Sequence, residues 1–151
     1  MKKALAMALA IMCVLALAGC GTNPAKEVLP WMQNLKADDI SEVQVWNMST
    51  AEDLKKVLTK EETAELVALL NALTEDDFQD NSALRGSTPD YGMDIVVDGE
   101  HIGIWPSGSS RDGALRTDCK GEWFIDNDAL TDFVRSVTAV ESFDEIGRAH
   151  V

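Results

Sequence analysis

The alternating stretch at residues 91–105 constrains the fold more than any other part of the sequence. Apolar residues occupy every second position from 91 to 97, the dipeptide Asp98-Gly99 follows, and Ile102 and Ile104 resume the alternation. Asp-Gly favours a type I′ turn, which joins two neighbouring antiparallel strands. The stretch therefore predicts a β-hairpin, and with it an antiparallel sheet.

Further strands are predicted on both sides of this hairpin. Residues 40–46 place Val43 and Val45 on one face and Trp46 on the other, which is typical of a half-buried strand. Residues 114–119 and 122–125 predict two short strands. Residues 55–58 are compatible either with a short edge strand or with the lead-in to a helix.

Capping signals and apolar spacing predict two helices. Thr59 and Glu62 form a capping box, and leucines follow at positions 66, 69, 70 and 73. Asp126 or Asn127 is the predicted cap of a final helix with apolar residues at 130, 133, 134 and 137. In the order β-α-β-β-β(-β)-α, these elements predict an α+β fold, with an antiparallel sheet of about four or five strands and two helices packed on one face.

A long polar loop is predicted at residues 74–89, and its acidic residues include Asp76, Asp77 and Asp80. Loops of this length often bind ligands or are disordered. These three aspartates are therefore candidates for a binding surface. Weak cation binding and a simple solvated charge run are the alternatives.

Residues 1–20 have the layout of a bacterial export signal. Lys2 and Lys3 precede an apolar run at residues 4–17, which is too short to span about 30 Å of hydrocarbon as a helix. The run ends in Leu17-Ala18-Gly19-Cys20. This motif resembles the lipobox of bacterial lipoproteins, which implies cleavage between Gly19 and Cys20 and attachment of a diacylglycerol to the Cys20 thiol. An ordinary secreted protein with a cysteine at that position is the alternative.

The lipobox divides the chain into predicted segments. Residues 1–19 would be removed as a signal peptide, residues 20–36 would form a tether, and residues 37–141 would form a single α+β domain. The acyl chains on Cys20 would hold this domain at the extracytoplasmic face of the cell membrane. Residues 145–151 resemble the translation of a common sequencing adapter, and a genuine polar tail is the alternative. No function is assigned to Arg148 or His150.

The net charge narrows the range of partners. It is -13 for the whole chain, and loss of Lys2 and Lys3 with the signal leaves 11 basic and 26 acidic residues, a net charge of -15. Such a surface repels nucleic acid and anionic lipid headgroups. We expect a membrane contact through the lipid anchor and no nucleic-acid partner.

The cysteines and histidines offer little chemistry. If Cys13 leaves with the signal and Cys20 carries lipid, Cys119 has no partner for an intrachain disulfide. Cys119 and His101 are the minimum for a thiol enzyme, but nothing in their spacing supports one. The run Asp126-Asn127-Asp128 lacks the glycine and the glutamate of an EF-hand and indicates a helix cap instead. We predict no catalytic residue, no metal site and no cofactor.

Two of the four tryptophans suggest a binding surface. Trp46 lies on the polar face of its predicted strand, and Trp105 lies at the end of the hairpin, just before Pro106. Aromatic side chains are enriched at binding hot spots. The alternative is that Trp105 and Trp123 close the rim of a small core.

The lipobox and the predicted architecture together resemble small uncharacterised lipoproteins of Gram-positive bacteria, some of which have a TATA-box-binding-protein-like or cystatin-like fold. The resemblance implies no substrate. We expect a non-enzymatic binding or sensing domain that recognises an envelope protein or a glycan. A thiol enzyme using Cys119 and His101 and an acidic cation-binding module are the alternatives.

Overall fold

One seven-stranded antiparallel sheet organises the described part of the chain. The computed structural model describes residue 26 and residues 28–80, 89–107 and 113–143. The strands are β1 (Ile40–Asn47), β2 (Leu54–Val57), β3 (Phe78–Asp80), β4 (Tyr91–Val97), β5 (Glu100–Pro106), β6 (Leu115–Thr117) and β7 (Trp123–Ile125). They lie in the order β2-β1-β4-β5-β6-β7-β3, and every neighbouring pair is antiparallel.

Three helices contribute to the core: α1 (Leu29–Asn34), α2 (Lys60–Asn71) and α3 (Asp128–Thr138). The predicted capping box starts α2, because the Glu62 N–H donates to the Thr59 hydroxyl at 3.2 Å and the Thr59 N–H donates to the Glu62 carboxylate at 2.8 Å. Asn127 caps α3 by accepting a hydrogen bond from the Leu130 N–H at 3.0 Å. Both predicted helices are confirmed. Within the described residues, no helix combines the length and the apolar character needed to cross a membrane.

The core lies between the helices and one face of the sheet. In the strand register, Val43 is opposite Ile95, Val45 is opposite Met93, and Met93 is opposite Ile104. These five side chains are at most 1% exposed. The helices add the buried residues Leu66, Leu70, Leu130 and Val134. Since successive residues of a strand point to opposite faces, the other face of the sheet carries a different set of side chains.

The predicted hairpin is formed by β4 and β5. Asp98 has a φ of 51° and Gly99 has a φ of 80°, the positive values of a type I′ turn. The two strands pair from Met93 opposite Ile104 to Val97 opposite Glu100. The prediction for this stretch is confirmed.

The sheet has more strands than the sequence predicted, seven instead of about four or five. β2 corresponds to the strand alternative for residues 55–58 and forms one edge of the sheet. β3 forms the other edge, within the stretch predicted as a loop, after a 3-10 turn at Glu75–Asp77. It forms because Phe78 is buried and pairs with Ile125, a contact distant in sequence. Residues 81–88 of the predicted loop lie outside the described residues.

The domain begins earlier than predicted, because helix α1 lies in the segment assigned to the tether. Val28 and Met32 are fully buried, and Pro30 in the first turn is compatible with a helix start. The Asn71 side chain holds the helix in place by donating to the carbonyls of Met32 at 2.7 Å and Leu35 at 3.1 Å. Residues 28–35 are therefore part of the folded domain.

A buried asparagine joins the end of α3 to the end of β1. Asn47 is 4% exposed, and its side-chain amide donates to the Thr138 carbonyl at 2.8 Å. Its oxygen accepts hydrogen bonds from the Ser49 N–H at 2.9 Å and the Ser49 hydroxyl at 2.6 Å. A buried polar side chain with its groups satisfied fixes a unique arrangement of the elements that it connects.

Candidate functional site

The outer face of the sheet, defined as the face opposite the helices, carries the candidate site on strands β2, β1, β4 and β5. The register places Trp46 of β1 opposite Lys55 of β2 and opposite Gly92 of β4. Trp46 and Trp105 are half-buried, whereas Trp123 is 2% exposed and belongs to the core. The structure therefore brings the two predicted binding tryptophans together on one surface.

Two glycines allow the indoles to lie directly on the sheet. A Cβ added to Gly92 would be 2.9 Å from both Trp46 Cζ2 and Trp105 Cβ. A Cβ added to Gly103 would clash with Cζ3 of the Trp105 ring. Glycine within a strand weakens it and often marks a close approach of another group to the backbone. Here that group is the pair of indoles.

The tryptophans line a groove with a volume of about 780 Å³. Its apolar walls include Met48 and Val57, which are 48% and 50% exposed and are the large exposed hydrophobic side chains of the described residues. Exposed apolar side chains gathered at one place commonly mark an interaction site. We call this feature, with Trp46, Trp105, Met48 and Val57, the tryptophan groove.

Trp105 is positioned by its neighbours. The Arg116 guanidinium carbon lies 5.8 Å from the centroid of the Trp105 ring, within the range of a cation–π contact. Next to the ring, the Gly103 N–H donates to the Asp118 carboxylate at 2.8 Å. Among the described residues, the buried Trp105 indole N–H has no hydrogen-bond partner, and the same is true of Trp123 in the core. The indole is thus held in place at the cost of one unsatisfied donor.

Asp94 brings a partly buried carboxyl group to the groove. It is half-buried and lines the groove with the two tryptophans. Burial raises the pKa of the Asp94 carboxyl, His101 opposes this effect, and the negative charge of Asp118 adds to it. Within the part of the chain that the structure describes, the Asp94 carboxyl accepts no hydrogen bond. A hydrogen-bond donor of a ligand would find an acceptor there.

The groove also contains a cation and an amide. Lys55 is exposed at the β2 rim, across from Trp46. Gln44 lies beside Asp94 in the register and donates one hydrogen bond to the Glu42 carboxylate, which leaves its carbonyl oxygen available. The polar groups of the groove therefore include one acid, two lysines and one neutral amide around an aromatic floor, and the Lys56 ammonium already donates to the Ser142 carbonyl at 3.2 Å.

The predicted acidic residues lie elsewhere. Asp76 and Asp77 belong to the turn before β3, and Asp80 ends that strand, at the edge of the sheet opposite to β2. The Asp77 carboxylate accepts hydrogen bonds from the Thr74 N–H at 2.7 Å and the Asn127 side chain at 3.2 Å, so it caps the turn. The structure does not bring these aspartates to the tryptophans. Gly19 and Cys20 lie outside the described residues.

Cys119 and His101 are on different sides of the sheet. Cys119 is 1% exposed and packs in the core, and burial, which Lys120 partly opposes, raises its pKa to about 12. At pH 7 a thiol with that pKa is ionised in only about one molecule in 100,000. His101 is exposed on the outer face, opposite Val96. The structure does not form the nucleophile and base pair that a thiol enzyme requires.

Among the described residues, no three or more His, Cys, Asp or Glu side chains are placed to hold a metal ion.

The residues that sequence reasoning missed are Gly92, Gly103, Asp94 and Lys55. The detectable signal was a glycine two positions from an aromatic residue on the outward side of an alternating strand, as in Gly103 and Trp105. Partners on neighbouring strands are not visible in the sequence.

Asp94→Asn should raise the melting temperature at about pH 7, and the gain should shrink toward pH 3. Folding raises the pKa of the Asp94 carboxyl above its value in the unfolded chain. The protonated carboxyl therefore contributes its full stability at pH values below the pKa of the unfolded state, and this contribution is lost as the pH rises through the pKa of the folded state. Thermal melts of both proteins across this range measure the effect. Asp53→Asn at an exposed position is the control. A lower melting temperature for Asp94→Asn at neutral pH would contradict the expectation.

No protein-family model and no curated protein matches the chain. Among solved structures, the chain is similar to a crystal structure described as a "putative lipoprotein from Clostridium perfringens". The two are 16% identical, the match covers 82% of this chain and 91% of that chain, and the TM-score is 0.47. A similarity of this size assigns neither a family nor a function.

Proposed function

We propose that the chain is a lipoprotein, anchored through Cys20 at the extracytoplasmic face of the cell membrane, whose domain binds a ligand in the tryptophan groove without catalysing a reaction. The sequence at residues 1–20 supports the anchor, because a short apolar run after two lysines leads directly to Leu17-Ala18-Gly19-Cys20. Two acyl chains suffice for stable membrane attachment.

The observation that carries the binding role is the groove of about 780 Å³ on the outer face of the sheet, with two indoles lying on glycines. A protein that needed these residues for its core alone would bury them between the sheet and the helices, as it does Trp123. Pockets of several hundred Å³ with an apolar lining and a few polar groups are typical ligand sites. The half-exposed indoles are therefore best explained by a ligand.

The alternatives receive less support. A thiol enzyme would need an accessible thiolate, but Cys119 is buried and protonated at neutral pH. An acidic cation-binding module would need several carboxylates gathered at one point, but the described residues contain no such group of three, and Asp77 accepts hydrogen bonds from Thr74 and Asn127. Neither alternative explains the tryptophan groove.

Cys20→Ser should move the protein from the membrane fraction to the soluble fraction and abolish incorporation of labelled palmitate, because the serine hydroxyl does not replace the thiol in lipid attachment. Fractionation of cells expressing each form measures this. Cys13→Ala, in the same predicted signal, is the matched control and should stay with the membrane. Retention of the Cys20→Ser protein by the membrane would contradict the proposed anchor.

If the groove binds a ligand from the cell envelope, this binding should depend on both tryptophans. The chain without residues 1–19, immobilised on a resin, should retain a component of solubilised envelope. The double variant Trp46→Ala, Trp105→Ala should retain about tenfold less of it or lower still, as expected for aromatic hot spots. Gly103→Ala should also reduce it, because the new Cβ clashes with the Trp105 ring and displaces it. The readout is the amount of each component eluted.

Val96→Ala is the matched control, since Val96 lies on the outer face of β4 but does not line the groove. It should retain the same component. Circular dichroism establishes that each variant is folded. Equal retention by the folded tryptophan variants and the wild type would refute the proposed binding site.

A further inference from the structure

We infer that the tryptophan groove binds an uncharged saccharide chain. This inference rests on the proposed function and names the chemical class of its ligand. It is carried by three properties of the groove: its aromatic floor, its mixture of donors and acceptors, and its position on the face of the sheet.

The floor of the groove suits flat rings. Trp46 Cζ2 and Trp105 Cβ both lie beside the position of Gly92, and the Trp105 ring lies against Gly103, so the two aromatic side chains are neighbours over β4 and β5. Pyranose rings present C–H groups on one face, and these pack on the electron-rich face of an indole. Aromatic faces carry negative partial charge, which attracts such C–H groups.

The polar groups of the groove match the hydrogen-bonding capacity of hydroxyl groups. An ionised Asp94 carboxylate only accepts hydrogen bonds, the Lys55 ammonium only donates them, and the Gln44 amide does both. A hydroxyl is one donor and two acceptors, so one kind of ligand group satisfies all three. Lys55 opposes a purely cationic ligand. Asp94 and the net charge of -13 oppose a purely anionic one.

The position of the groove favours a saccharide over an extended peptide. A peptide binds a sheet most readily at an edge strand, where backbone groups are unpaired. The groove lies on the outer face of β2, β1, β4 and β5, and of these strands only β2 is at an edge of the sheet, whereas β1, β4 and β5 each pair with a strand on both sides. At about 4.8 Å per strand, the distance from β2 to β5 is roughly 14 Å, which accommodates about three linked sugar rings.

Isothermal titration of the chain without residues 1–19 tests the inference with defined probes. These are the β-1,4-linked tetramers of N-acetylglucosamine and of glucose, maltotetraose, tetra-alanine and spermidine. At least one saccharide should bind, with a Kd that changes by less than about twofold between roughly 50 and 500 mM NaCl, because an uncharged ligand is not subject to salt screening.

Substitutions should distinguish saccharide binding in the groove from binding elsewhere on the surface. Trp105→Ala should weaken saccharide binding by about tenfold or more, Trp105→Phe should weaken it less, and Asp94→Asn should weaken it by about threefold to tenfold. Asp94→Asn is informative because it is expected to stabilise the fold, so its loss of binding would not reflect unfolding. Val96→Ala should leave the Kd within about twofold of the wild type.

Two outcomes overturn the inference and leave the proposed function intact. One is tryptophan-dependent binding of tetra-alanine or spermidine with no saccharide bound. The other is the absence of any saccharide binding at about 10 mM, together with tryptophan-dependent retention of an envelope component. Saccharide binding that is unchanged in folded Trp46→Ala and Trp105→Ala proteins would instead overturn the site itself.

Discussion

Burial of apolar side chains on one face of the sheet is the constraint on which the rest of the structure depends. Val43, Val45, Met93, Ile95 and Ile104 all face the helices and are at most 1% exposed. Since side chains alternate between the faces of a strand, this requirement also fixes which residues point the other way. Trp46 and Trp105 are therefore held on the outer face by the packing of their neighbours in sequence, and β1, β4 and β5 present them together.

Several features that form the groove on the outer face lower the stability of the fold. Gly92 and Gly103 weaken their strands relative to larger residues, the Trp105 indole N–H has no partner among the described residues, and partial burial raises the pKa of the Asp94 carboxyl. Features that cost stability without serving the core are common at functional sites. In return, the indoles are already placed, which lowers the entropic cost of binding a ligand.

The sequence predicted the elements that depend on local pattern. The hairpin followed from Asp98-Gly99, the helix caps from Thr59 and from the pair Asp126-Asn127, and the outward placement of Trp46 from alternation. It missed β3, because three residues in an acidic stretch carry no periodicity and pair only with distant β7. It also missed α1, which is too short to stand out within a predicted tether. The groove required pairing between strands, so neither Gly92 nor Asp94 could be recognised beforehand, and the spacing of Gly103 and Trp105 was the local signal for it.

The four tryptophans allow a direct measurement of the binding site within one molecule. Each indole N–H gives a separate resonance in a ¹⁵N–¹H correlation spectrum, and soluble glycan fragments released from cell walls are added stepwise. Binding in the tryptophan groove predicts that the Trp46 and Trp105 resonances shift, whereas those of Trp31 on α1 and Trp123 in the core stay in place. Shifts confined to Trp31 or Trp123, or no shift at any indole, would contradict a saccharide site in the groove.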